Sequence, residues 1–133
     1  MQDKQAVLEA NAAFYAAFQT ADFAAMDALW SKHRKVSVYH PNWPGIKTRD
    51  AVMESWFRIL VIGTPPLVSA FDATAIATAR TGLVICTEEL GGANLIATNV
   101  FVLEEGHWRM TNHQASRLPA TARQGDPLKR REQ

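Results

Sequence analysis

Cysteine occurs once in this chain, at Cys86, so no internal disulfide can form and stability must come from the core alone. That usage fits a reducing cytoplasm, which is the expected location. Cys86 ends the apolar stretch Leu83-Val84-Ile85 and reads as inert packing rather than a nucleophile. No apolar run is long enough to span a bilayer, and the N-terminus has no basic segment followed by an apolar core, so neither a membrane segment nor a signal peptide is expected. A phosphate-cradling glycine loop is missing, since Gly91-Gly92 stands alone as a hairpin turn, and Gly-x-Ser-x-Gly is absent. The four histidines, His33, His40, His107 and His113, lack paired-ligand spacing, so no metal is expected, and no motif calls for a cofactor. An excess of one charge is missing too: formal net charge is +1, and five of the bases (Arg117, Arg123, Lys129, Arg130 and Arg131) follow Ser116. The body they leave is weakly acidic and offers no basic face to a nucleic acid.

What is present suits one domain of 133 residues, with 47% hydrophobic and 20% charged residues. Val7, Leu8, Asn11, Phe14, Tyr15 and Phe18 recur at helical spacing and predict an amphipathic helix from Asp3, its cap, to Thr20. Asp22 caps a second helix, from Phe23 to about Ser31, and Thr48 a third, running to about Leu60 before Gly63-Thr64-Pro65-Pro66. The period then changes. Strands are predicted over 71–78, 83–90, 93–103 and 108–116, joined by turns short enough for an antiparallel meander. Residues 1–116 thus form one α+β domain, and 117–133, with Pro119, Gly125 and Pro127 and no apolar periodicity, form a poorly ordered basic tail.

Between the second and third helices lies the stretch that carries most information, Val36-Ser37-Val38-Tyr39-His40-Pro41-Asn42-Trp43-Pro44-Gly45. Alternation puts Val36, Val38 and His40 on one face of a short strand, which Pro41 ends. A titratable ring pointing inward beside a rigid aromatic loop suits a pocket wall; a core histidine bonded to backbone is the alternative. Alternation also groups Ala97, Asn99, Phe101 and Leu103, then Arg109, Thr111, His113 and Ala115, and in another strand Val84, Cys86, Glu88 and Leu90.

The order of these elements, with the segments Ala10-Asn11-Ala12-Ala13-Phe14-Tyr15-Ala16-Ala17-Phe18, Tyr39-His40-Pro41-Asn42-Trp43 and Trp108 to Ser116, resembles the nuclear transport factor two-like superfamily and its SnoaL-like branch. The resemblance implies a cone-shaped α+β barrel, with three N-terminal helices packed in a curved, mostly antiparallel sheet and a pocket inside. Ketosteroid isomerases and scytalone dehydratase are distant relatives of this kind. Read against the isomerases, their base becomes His40, their strand acid becomes Asn99, and their tyrosine falls on Phe14, with Tyr15 one step out of phase. Both proton-donating oxyanion groups are then lost, and steroid isomerisation itself is not expected.

On this registration the catalytic candidates are His40, Asn99, His113 and Glu88, with Phe14, Phe18, Trp43, Trp56 and Phe101 lining the pocket. Glu88 falls near the mouth, and His113 and Thr111 face inward. The imidazoles are natural acid–base groups near neutrality, Asn99 would donate to a substrate oxygen, and Glu88 would fix a histidine tautomer. The implied function is isomerase, cyclase or dehydratase chemistry on a small apolar carbonyl or hydroxyl compound; a non-catalytic ligand-binding or dimerisation module is the alternative. A homodimer through the outer sheet face, with Trp108, Met110, Val100 and Val102, is expected, without nucleic acid or membrane partners.

Overall fold

The computed structural model describes residues 2–119, with side chains from Asp3 onward. Helix α1 spans Gln2–Gln19, and Asp3, expected as its cap, lies inside the first turn, where a carboxylate favours the positive end of the helix dipole. Asp22 accepts from the Ala25 N–H at 3.0 Å and starts α2, Phe23–Leu29. Thr48 Oγ1 accepts from the Ala51 N–H at 3.2 Å and starts α3, Arg49–Phe57. Each hydroxyl or carboxylate satisfies one orphan donor of its first turn.

Both helices end earlier than alternation of apolar residues suggests. The helix α2 stops at Leu29 because Trp30 is extended and bridges to Met110, and the Ser31 N–H then donates to Met110 O at 2.9 Å. The orphan carbonyls are taken up from across the gap: Arg49 Nη2 donates to Asp27 O at 2.7 Å, Nε to Ser31 O at 3.1 Å, and Nη1 to the Asp27 carboxylate at 2.9 Å. The third helix leaves α geometry at Phe57 and continues as a π-helical turn, Arg58–Ile62, closed by the Gly63 N–H on Arg58 O at 3.0 Å.

The strands are β1 (Ser37–Tyr39), β2 (Val68–Ala77), β3 (Thr81–Leu90), β4 (Ala93–Glu104) and β5 (His107–Arg117). They form one sheet in the order β1-β5-β4-β3-β2. The pairs β2–β3, β3–β4 and β4–β5 are antiparallel, and β1 runs parallel to β5. The architecture is the α+β cone, but β1 and β2 are free edges, so the sheet is open rather than a closed barrel. Strand β2 begins three residues before the expected Phe71. Arg117, assigned by sequence to the tail, is the last residue of β5, and the Leu118 N–H beyond it donates to Asn94 O at 3.0 Å. The rest of the tail, from residue 120, lies outside the described residues.

Two bulges set which side chains face the helices. In β5 the partner of Val100 is Asn112 and that of Phe101 is Met110, so Thr111 is an extra residue. Simple alternation put Arg109 and Thr111 inside; the bulge shifts the phase, and Met110 is buried with His113 and Ala115. Met110, fully covered, therefore leaves the outer patch assigned to it, and Val102 is also buried. A second bulge separates Phe71 from Thr74 in β2, where Asp72 has φ 56°. Helix α1 lies against β2 and β3 at close range: a Cβ on Gly82 would stand 2.6 Å from Val7 Cγ2, so only glycine fits that rung.

Candidate active site

His40 stands one residue past β1. Val36, Val38 and His40 are buried while Tyr39 is exposed, and the chain then reverses tightly, with the Trp43 N–H on His40 O at 3.0 Å and Val38 and Ile46 exchanging both backbone bonds. Its imidazole Nε2 is 2.9 Å from Ser55 Oγ, and the Ser55 hydroxyl donates to Val52 O at 2.7 Å. With that single proton committed, Ser55 Oγ accepts from Nε2–H, and Nδ1 carries the lone pair of the ring. Trp56 meets the imidazole edge-on at 4.7 Å between centroids, and Trp43 at 5.0 Å. Burial among these groups holds the His40 pKa down to about 4, so the ring is neutral at pH 7.

His113 occupies β5 on a rung between Val38 of β1 and Asn99 of β4. Asn99 Nδ2 donates to Asn11 Oδ1 at 2.8 Å and to the Tyr15 hydroxyl at 3.3 Å, which fixes the orientation of its amide. Its Oδ1 therefore accepts from His113 Nδ1–H at 2.6 Å, leaving Nε2 as the basic nitrogen. Nε2 faces Glu88 Oε2 at 3.9 Å. Burial, with His40 nearby, pushes the His113 pKa down to about 3. The two imidazole centroids are 6.3 Å apart.

Glu88 is buried on the inner face of β3 and accepts from the Tyr15 hydroxyl at 2.5 Å. Burial raises its pKa, and the Tyr15 bond partly opposes this. Tyr15 itself is pushed up by burial and then by the Glu88 and Cys86 charges, so its hydroxyl stays protonated. The Cys86 thiol, 3.4 Å from that hydroxyl, is likewise raised by burial.

One cavity of about 350 Å³ is lined by His40, Glu88 and His113 together with Phe18 and Trp43. Five of the nine candidate residues thus meet there. Phe14, Trp56, Phe101 and Asn99 are fully buried behind the wall: Phe14 packs edge-on against Trp56 at 5.5 Å and lies 5.0 Å from His113. Asn99, expected to touch a substrate oxygen, has its amide groups committed to Asn11, Tyr15 and His113. Glu88, placed by sequence near the mouth, is on the floor, 1% exposed. Trp43 is a rim residue, 38% exposed. Sequence reasoning missed the roles of Asn11, Tyr15 and Ser55; the available signal was Asn11, a polar residue on an otherwise apolar stripe four positions before Tyr15. Among the described residues no three His, Cys, Asp or Glu side chains gather in metal-ligating geometry, and no helix is long and apolar enough to cross a membrane.

Comparison with known proteins fits this geometry. The family model of the SnoaL-like domain matches residues 7–121. The crystal structure of a proposed dehydratase of the NTF2-like family from Streptomyces avermitilis is 31% identical, with 90% of this chain and 98% of that one covered and a TM-score of 0.81. A protein from Thiobacillus denitrificans, described as a candidate calcium/calmodulin-dependent protein kinase type II association domain, is 30% identical over 83% of this chain and 93% of its own, with a TM-score of 0.72. A ketosteroid isomerase-like protein from Erwinia carotovora atroseptica shares the fold, with a TM-score of 0.67 at 17% identity over 88% and 97% of the two chains. No curated protein matches. With most of its length matched by the family model and by two relatives at 30% identity or more, the chain belongs to the SnoaL-like domain family of NTF2-like proteins.

Proposed function

We propose that the cavity performs cofactor-independent acid–base chemistry, of isomerase, cyclase or dehydratase type, on a small carbonyl- or hydroxyl-bearing molecule. The observation that carries this reading is the opposed state of the groups lining one cavity: two imidazoles held neutral and one carboxyl raised toward its acid form. Groups whose environments push their pKa values apart divide naturally into base and acid. His40 accepts a proton at Nδ1, with Ser55 fixing its tautomer. Glu88, its carboxyl raised by burial, supplies a proton, and His113 Nε2 lies 3.9 Å from that carboxyl on the same cavity wall. Asn99 keeps His113 in the tautomer that leaves Nε2 free. The similarity to the Streptomyces avermitilis protein supports dehydration among the three chemistries.

A panel of β-hydroxy ketones, followed by the absorbance of the enone product, tests this. His40→Ala is expected to lower turnover by roughly 10²–10⁴, the usual contribution of a positioned acid or base. Circular dichroism should show the fold retained. Unchanged turnover in His40→Ala, or no turnover of any member by the intact protein, would count against the enzyme reading.

A second reading, a non-catalytic association module, is favoured by the apolar residues Phe71, Ile76, Ile85 and Ile96 exposed on the outer sheet face and by the likeness to an association domain. Ligand binding without turnover in any variant is its expected signature.

A further inference from the structure

The cavity has a feature that the proposed chemistry does not use. Two arginines, Arg58 and Arg117, line it along with the buried acid–base groups. Both are exposed while His40, Glu88 and His113 are not, so the guanidinium groups stand at the mouth and the titratable groups form the floor.

Each arginine is delivered by defined backbone. Arg58 opens the π-helical turn, and its carbonyl accepts the closing bond from Gly63. Turns of this kind recur at functional sites because one extra residue re-aims a side chain. Arg117 extends the inward series of β5 through His113 and Ala115, and it shares a rung with Leu95 of β4 and Glu88 of β3. Its position is pinned by the next residue, whose N–H reaches Asn94 O. Phe18, Ile59 and Leu90 supply apolar wall between mouth and floor.

The charge balance of the cavity is one-sided. His40 and His113 are neutral at pH 7, and Glu88, the only lining carboxyl among the described residues, is raised. Arg58 has an acidic neighbour, Glu54, at 3.5 Å, but both side chains of that pair are more than 60% exposed. Such a pair contributes little and yields readily to a better-placed anion. Guanidinium is always charged, weakly hydrated and shaped for two parallel bonds to a carboxylate.

We infer that the ligand of this cavity is a small organic acid: an apolar body carrying a carboxylate that Arg58 and Arg117 hold at the mouth, with its carbonyl or hydroxyl directed to His40, Glu88 and His113. This rests on the reading of the cavity as the reaction site and narrows its substrate class from apolar compounds to carboxylates.

The test uses a matched pair of probes, para-acetylbenzoate and its neutral counterpart para-acetylbenzamide. Each is titrated into the full chain, with the imidazole resonances of His40 and His113 as reporters. The acid should bind roughly ten- to a hundredfold more tightly than the amide at low ionic strength, as expected for charge-assisted bonds. That preference should shrink as salt is added to the unmodified protein and vanish in the double variant Arg58→Gln, Arg117→Gln. Equal affinity for acid and amide, or a preference that survives in the double variant, overturns the carboxylate assignment while leaving the cavity as a binding site. Failure of both probes to move either histidine resonance overturns the assignment together with the site reading beneath it.

Discussion

Asn99 Oδ1 accepts a hydrogen bond from His113 Nδ1–H at 2.6 Å, across directly paired residues of β4 and β5. Its other amide atom is spent on Asn11 and Tyr15, so one side chain satisfies three buried groups drawn from a helix and a strand. Asn99→Leu, similar in size, leaves the Asn11 oxygen and His113 Nδ1 without a partner. A loss of about 3 kcal/mol is expected, since a stranded buried polar group costs ~1–3 kcal/mol. Urea denaturation reads this directly, and an unchanged midpoint would show that the network is slack. Asn99→Asp should instead raise the His113 pKa, because a carboxylate beside an imidazole favours its charged form.

Stability should fall in mild acid. Both histidines have folded pKa values below the ordinary 6.5, at about 4 for His40 and about 3 for His113. Between 6.5 and those values the unfolded chain binds more protons, so stability is complete above 6.5 and drops as pH falls. The slope approaches ~1.4 kcal/mol per pH unit for each histidine. Glu88, raised by burial, works in the opposite direction: its contribution is full below the unfolded carboxylate range and is lost as pH rises through its folded value. Unfolding free energies measured from about pH 7.5 down to about 4.5 should show this decline, and His113→Leu should roughly halve it. A flat profile would mean that these rings are solvated.

Tyr15→Phe removes the hydroxyl that donates to Glu88 at 2.5 Å and takes a bond from Asn99 at 3.3 Å. Because that donation lowers the Glu88 pKa, its loss should raise the value further, at a stability cost of ~1–2 kcal/mol. The carboxyl carbon resonance of Glu88, followed against pH, gives the shift; no movement would place the Tyr15 proton elsewhere.

The outer sheet face should pair with a second copy of the chain. Phe71, Ile76, Ile85 and Ile96 project from it on adjacent strands, with Tyr39 at the β1 edge, whereas Met110 and Val102 of the expected patch (Trp108, Met110, Val100 and Val102) are buried. A self-complementary two-fold contact covers such a surface economically. Sedimentation at micromolar concentration should give a dimer mass, and the double variant Ile85→Lys, Ile96→Lys a folded monomer. A monomer mass for the unmodified chain would sink the idea.

The parts of this fold written into short-range chemistry were legible in advance. Asp22 and Thr48 cap helices because a side-chain oxygen next to orphan N–H groups needs no tertiary context. Val38 and His40 share an inward face because strand alternation is strict over three residues. Legibility failed where one residue is inserted. Neither the bulge at Thr111 nor the π turn at Arg58 has a local signature, and each resets the phase of everything after it. The helix that Tyr15 and Asn11 share also hid their role, since a helical stripe gives the side of a residue but not the distant strand residue it meets. Arg117 was assigned to a tail by composition, although one more step of the β5 period carries it to the cavity.

Thr111 has a consequence for how this protein can change over time. As the extra residue of β5, it bends the strand and lets Met110 and His113 both turn inward although three positions separate them. Deleting it would leave every neighbour facing the side it faces now, with regular alternation restored, and would cost little in hydrophobic burial. The strand would straighten, however, and the hollow beneath it would become shallower. Chain length at one position is thereby a variable of this strand that no amino-acid exchange samples. Relatives with different substrate sizes should differ there by insertions and deletions before they differ in the identity of their acids and bases.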